Sequence, residues 1–221
     1  MVRRVLKWWL GPSTRRAIRQ VLAEMRIQRT HRACVKAARR LTLPSRLHLG
    51  CGEIIRPGWI NVDLFETCAD LQLDLRESFP FPDSSMLMVY SEHFLEHLDY
   101  PREVDHVLRE SFRVLMSGGR FSVGVPDAAG AVQLYVRDDR ASYASFAASN
   151  PNYPQWFRIP MHGLNYTFRQ LGDHKYAWDE EILTIALESV GFIRVQRRPF
   201  DPELDSEHRR NGTLYMEGIK P

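Results

Sequence analysis

RLHLGCGEIIRPGWINVD, residues 46–63, is the stretch whose reading decides the fold. Leu47 and Leu49 alternate with polar neighbours, the period of a strand, and lead straight into Gly50-Cys51-Gly52. Two glycines at that spacing let the backbone turn sharply and approach a ligand closely, which a Cβ would prevent. Ile60 and Val62 flank Asn61 and stop at Asp63, where a carboxylate is placed to accept from both hydroxyls of a ribose. Strand, glycine turn, strand and acid are the logic of a nucleoside-binding α/β sheet.

The same stretch argues against a dinucleotide. The fingerprint G-x-G-x-x-G needs a third glycine, and Ile55 stands there. Its acid lies about 20 residues on, beyond a crossover helix. Here only Glu53 to Trp59 remain for the crossing, broken by Pro57-Gly58, whereas a full crossover takes roughly a dozen residues. A short turn without a pyrophosphate-facing helix suits a ligand that carries ribose but no phosphate.

Downstream, Leu71 to Leu75 is a short segment ending in Asp74-Leu75, and Met86 to Tyr90 is an apolar run fit for a buried strand. It leads into Ser91-Glu92-His93-Phe94-Leu95-Glu96-His97-Leu98. Asp99-Tyr100-Pro101 opens a helix, carried by Val104, Val107, Leu108, Phe112 and Leu115 at helical spacing, with Gly118-Gly119 as its stop. Phe121 to Val125 is the next strand, closed by Pro126-Asp127. Trp178-Asp179-Glu180-Glu181 opens a last helix with an acidic first turn suited to the helix dipole. Phe192–Arg198 and Thr213–Lys220 then read as two closing strands joined by the charged turn Asp201 to Gly212.

The motifs LHLGCG, GWINVD, DL, PFPDSS, VYSEHFLEHL and EVDHVLRESFRVLMSGGRFSVGVPD, in this order, resemble a class I S-adenosylmethionine-dependent methyltransferase of the type 11 kind. Among these the chain is most similar to small bacterial enzymes associated with cell-surface glycan and lipid biosynthesis. The resemblance covers Leu47–Asp127 and resumes from His174. It implies a Rossmann-like α/β fold: a mostly parallel sheet with an antiparallel C-terminal edge strand and helices on both faces. It also implies S-adenosyl-L-methionine as cofactor. Leu49, Gly50, Cys51 and Gly52 would admit its methionine end, with Cys51 as filler, and Asp63 would hold the ribose. Leu64 and Leu75 would sandwich the adenine, Asp74 would accept from its amino group, and Ser91 and Glu92 would lie beside the sulfonium. One departure is Met86-Leu87, where many relatives carry an aspartate at the start of the fourth strand.

The composition, 44% apolar and 26% charged over 221 residues, is ordinary for one globular α/β core. Cys34, Cys51 and Cys68 form neither a disulfide framework nor a CxxC pair, so a reducing cytoplasm is the expected location. No apolar run approaches the roughly 18 residues of a membrane span, and Met1–Leu10 lacks the apolar core of a signal peptide. Charge is uneven. Residues 1–46 hold thirteen Lys/Arg against Glu24 alone, +12, so the remainder of this +3 chain carries −9. Residues 1–45 therefore read as a basic helical arm before the domain at 46–221. Ile18, Val21, Leu22 and Met25 share one helical face, and Cys34, Ala37, Ala38 and Leu41 another. A pair of helices packed against the sheet, an arm on anionic lipid anchored by Trp8 and Trp9, and an arm on nucleic acid all fit.

His93-Phe94-Leu95-Glu96-His97 also matches the H-x-x-E-H of inverted zinc proteases, yet no third ligand accompanies it in sequence. The expectation is no metal, with Leu95 and Leu98 packing inward, His97 making a supporting contact and Glu96 orienting the turn. A hydroxyl acceptor needs a base. Asp127 at the end of the fifth strand, His162 and His174 are the candidates. Residues 128–173 are too long for a plain connection and rich in aromatics, which suggests a cap forming the acceptor pocket, with Trp156 or Tyr166 on substrate. The resulting expectation is O-methylation of a small-molecule, glycan or lipid-linked acceptor. The alternatives are an RNA or tRNA methyltransferase and a cofactor-binding scaffold.

Overall fold

Leu47, Leu49, Ile60 and Val62 are all buried, and the strands they form lie side by side. In the computed structural model, which describes residues 11–43, 45–149, 154, 156 and 158–221, seven strands make one sheet. They are β1 (Ser45–Leu49), β2 (Ile60–Asp63), β3 (Leu71–Gln72), β4 (Met86–Glu92), β5 (Leu115–Pro126), β6 (Ile193–Arg197) and β7 (Thr213–Ile219). Their order is β3-β2-β1-β4-β5-β7-β6. Strands β3 to β5 pair in parallel around β1, while β7 runs antiparallel to both β5 and β6. The antiparallel strand is the C-terminal one, as expected, but it sits one place in from the edge, and β6 forms the rim.

The helices are α1 (Pro12–Ala38), α2 (Arg102–Val114), α3 (Ala128–Val136), α4 (Arg140–Ser149), α5 (Pro160–Arg169) and α6 (Glu180–Ser189). Val104, Val107 and Leu108 of α2 and Leu183 and Leu187 of α6 join Leu47, Val62, Val89, Phe121 and Met216 of the sheet in one apolar core. Asp179 caps α6 by accepting from the Ile182 amide at 3.0 Å. Helix α2 stops earlier than its apolar spacing suggests. Leu115 leaves at ψ 140° and pairs with Met86, so the fifth strand begins there and Gly118-Gly119 lie inside it. The opposite face of β4 is narrower: Met88 and Tyr90 meet Leu204 and Trp59. The segment between β6 and β7 folds back over it, tied by the Arg198–Asp205 pair (2.7 Å at both contacts) and by Tyr90 Oη on Asp205.

His48 lies under that fold-back, 2% exposed, and burial together with the Arg56 charge lowers its pKa from 6.5 to about 3. The unfolded chain therefore binds the extra proton between those values. Stability is complete above pH 6.5 and is lost as pH falls towards 3. At about 1.4 kcal/mol per unit, the loss reaches about 2 kcal/mol near pH 5. Urea unfolding at neutral and mildly acidic pH is expected to show this slope, and His48→Gln to flatten it. An unchanged slope in the variant would assign the acid sensitivity to other groups.

Among the described residues the basic arm runs as a single helix over Pro12–Ala38, which contains no breaker after its first turn. Its C-terminal half docks: Ala38 is buried, Cys34 and Val35 reach the core, and His31 Nδ1 accepts from the Asp74 amide at 3.2 Å. The other face does not dock, leaving Ile18, Val21, Leu22 and Met25 43–65% exposed. Trp8, Trp9, residues 150–153 and Phe157 lie outside the described residues. Among those described, no helix is long and apolar enough to cross a membrane.

Candidate functional site

The sequence places the turn after β1, and that turn is the floor of a cleft of about 850 Å³ at the carboxyl ends of the strands, where open α/β sheets bind ligands. Gly50 and Gly52 take φ +61° and +52°. Phe94 lies over Gly50, and a Cβ there would come within 2.6 Å of its ring, whereas a Cβ on Gly52 would meet nothing within 4 Å. One glycine thus permits packing and the other keeps the floor open. Asp63 closes the turn: Oδ2 accepts from the Gly52 amide at 3.0 Å, and Oδ1 from the Phe65 and Glu66 amides at 2.8 and 3.1 Å. Three of its roughly four acceptor positions are taken, which leaves Oδ2 one lone pair for a ribose hydroxyl.

Cys51, Leu64, Asp74 and Leu75 also line the cleft. The Cys51 thiol is pushed up to about 12 by burial and by Asp63, which makes it an inert wall. The Asp74 carboxylate is held by Arg76 in a two-pronged pair, 2.9 and 2.7 Å. Burial would raise its pKa, but the Arg76 hydrogen bonds prevail and keep it below the usual carboxylate range. An adenine amino group would share that carboxylate with Arg76.

Three expected cofactor contacts are placed elsewhere. Leu49 is wholly in the core. Ser91 is fully buried behind the turn. Glu92 is set back from the cleft, its oxygens taken up at 2.6–3.4 Å by Ser206, Tyr215 and Arg209, the last of which itself lines the cleft. Neither Ser91 nor Glu92 lines the cleft. His93 and Phe94 do so instead, because His93 turns at φ +54° and throws the chain inward. Leu95–His97 follows as a short 3-10 turn pinned by fully buried Leu95.

That turn brings Glu96 against a distant segment. The Glu96 carbonyl accepts from the Lys175 and Tyr176 amides at 2.8 and 3.3 Å, which draws His174 alongside it. The rings of His97 and His174 meet edge to face, centroids 5.0 Å apart. Burial pushes the Glu96 carboxyl up to about 8, and burial lowers His97 and His174 below their ordinary value. His97 borders the cofactor cleft and also a small cavity with His174, Tyr166 and Thr167. Thr167, Asn211 and Gly212 of that cavity continue into a groove of about 460 Å³ under α3–α5.

Of the three expected bases, His174 alone reaches this junction. Asp127 caps α3, accepting from the Gly130 amide at 2.9 Å, with Arg197 at 3.7 Å. It lines the groove but not the cleft. His162 lies in α5 with its Nδ1 accepting from the Arg158 amide at 3.1 Å and its ring against Trp156. Neither His162 nor Trp156 borders any of these cavities. Sequence reasoning gave His97 a supporting contact and Glu96 the orientation of the turn, although the H-x-x-E-H spacing had marked both as metal-ligand types.

The sequence model of a methyltransferase domain matches residues 60–123. No curated protein matches the chain. Similar solved structures include S-adenosylmethionine-dependent methyltransferases from three organisms. That from Thermotoga maritima has 16% identity over 93% of this chain and 97% of that one, TM-score 0.47. That from Archaeoglobus fulgidus has 17% identity over 79% and 85%, TM-score 0.49. That from Mesorhizobium loti has 19% identity over 80% and 90%, TM-score 0.45. The segment matched by the methyltransferase-domain model runs from β2 into β5, so it covers strands on both sides of β1 and part of the cleft's lining.

Proposed function

We propose that this chain transfers a methyl group from S-adenosylmethionine to an oxygen of a small-molecule, glycan or lipid-linked acceptor seated under the cap at 128–173. The observation that carries the reading is the Glu96–His97–His174 cluster, set between the cofactor cleft and the cap groove. Methyl transfer is an in-line displacement at a sulfonium that already leaves well, so positioning supplies much of the rate. A neutral amine would need no base. A hydroxyl must lose its proton, and an imidazole-rich cluster at this junction favours oxygen. Tyr166 borders the small cavity, which supports it as the aromatic that touches the acceptor.

The arm supports a peripheral contact with an anionic membrane at the cytoplasmic face. Ile18, Val21, Leu22 and Met25 stand exposed opposite the docked face, among the arginines of α1, the composition of an interfacial helix. The acidic remainder of the chain and the lack of a recognisable RNA module weigh against nucleic acid as acceptor.

Labelled donor offered with vesicle-borne lipid-linked glycan, soluble glycan and RNA tests both points. Label is expected in a glycan or lipid fraction. The variant Val21→Glu/Met25→Glu is expected to lose vesicle sedimentation while keeping the heat of cofactor binding. Label in RNA would replace the reading by its nucleic-acid alternative, and cofactor heat without label in any pool would leave a scaffold.

A further inference from the structure

We propose that Glu96, His97 and His174 bind one divalent transition-metal ion of the zinc type at the junction of the cofactor cleft and the cap. One ligand atom from each lies within 4.8 Å of the others. Glu96 is 1% exposed, and among the described residues neither of its carboxylate oxygens has a hydrogen-bond partner. A buried carboxylate left so is costly. Its nearest nitrogens, His93 Nδ1 at 3.5 Å and His174 Nε2 at 3.9 Å, are at or beyond the limit of a hydrogen bond, while an ion between the three groups would satisfy it.

The imidazoles are set for the same task. His97 Nδ1 meets the Asp173 carbonyl at 3.2 Å, and His174 Nδ1 the Thr167 carbonyl at 2.8 Å. A carbonyl only accepts, so both Nδ1 atoms carry the proton and both Nε2 atoms keep a lone pair. Carbonyl-held rings of this tautomer are the usual way proteins orient metal-binding histidine. His93 is the odd one out of H-x-x-E-H, since its Nε2 is engaged with Thr213 Oγ1 at 2.9 Å. In a 3-10 turn the motif offers Glu96 and His97, and the missing third ligand comes from His174, far along the chain.

Two imidazoles and one carboxylate are a zinc-type set, too nitrogen-rich for calcium or magnesium. Three protein ligands leave a position open to the Tyr166-lined cavity. There the ion would hold an oxygen of water or, if the proposed function is right, of the acceptor. Only that use rests on the methyl-transfer reading; binding does not.

The test is therefore made on the full chain without turnover, after chelation and dialysis. Zinc calorimetry is expected to give one ion per chain, cobalt to give the visible bands of a four-coordinate site, and zinc to raise the melting temperature. His97→Ala and His174→Ala should each weaken zinc by more than the roughly 10–100-fold that losing an outer hydrogen-bond partner costs. His162→Ala should match the parent. No zinc heat in the parent, or equal affinity in both ligand variants, overturns the site. Should His174→Ala not fold, as judged by metal-free melting, His97→Ala at the cleft margin decides alone. Zinc bound without methyl transfer to any pool would overturn the proposed function and leave the site standing.

Discussion

Exchange of Gly50 for alanine is expected to abolish measurable cofactor binding and to cost about 3 kcal/mol of stability. Two terms add. The backbone holds φ +61°, a left-handed conformation costing roughly 1–2 kcal/mol with a side chain. The new methyl would lie 2.6–2.8 Å from Cδ2, Cγ and Cβ of Phe94, an overpacking worth about 1–3 kcal/mol. Phe94 cannot simply swing away, because its Cβ moves only with a backbone fixed by the His93 amide on the Gly124 carbonyl at 2.8 Å. The strain therefore spreads into the turn that lines the cleft. Gly52→Ala separates the terms. Its φ is +52° but the added methyl meets no protein atom, so stability should fall by only about 1–2 kcal/mol. Cofactor affinity should still drop, because the methyl projects where the ligand lies. Urea unfolding and calorimetry on the two variants give the comparison. Equal loss of stability in both would mean that Phe94 does not brace this turn.

How far these features were readable depended on how local they are. Gly50, Gly52 and Asp63 sit in one short stretch, and their bond, the Gly52 amide on Asp63, closes within it. Alternation was enough to place β1 and β2. The junction is different. Glu96 and His97 were visible as a motif, but their partner arrives through backbone bonds from Lys175 and Tyr176 to the Glu96 carbonyl, which no spacing encodes. The partners of Glu92 were hidden for a similar reason. Strand period puts it on the Tyr90 face, and only the fold-back after β6 brings Ser206 and Arg209 to cover it there. Leu115 fitted the helical period equally well, and pairing with Met86 decided for the sheet. At Asp127 the residue type was right for chemistry, but the start of α3 claims its oxygen as a cap.

Asp63→Asn is expected to weaken S-adenosylmethionine and its demethylated product by about 10–100-fold, with a smaller fall in melting temperature than Asp63→Ala because one of its three hydrogen bonds is lost rather than all. A hydrogen bond to a charged acceptor contributes about 1.5–3 kcal/mol, and about 1.4 kcal/mol is tenfold. The amide keeps one oxygen for the Phe65 and Glu66 N–H groups, now at 2.8 and 3.1 Å. Its NH2 would then stand where Oδ2 accepts from Gly52, donor facing donor, and the lone pair left for ribose disappears. Flipping the amide restores Gly52 but strands the other two. Asp63→Ala strands all three amides, so it should lower the melting temperature further at a similar loss of affinity. The contrast matters because a purely structural Asp63 would make affinity and stability fall together across the series. A loss of affinity in the asparagine variant as large as that in the alanine variant, at a smaller loss of stability, assigns the carboxylate to the ligand. Parental affinity in that variant would remove the ribose from this acid, and with it the nucleoside reading of the cleft.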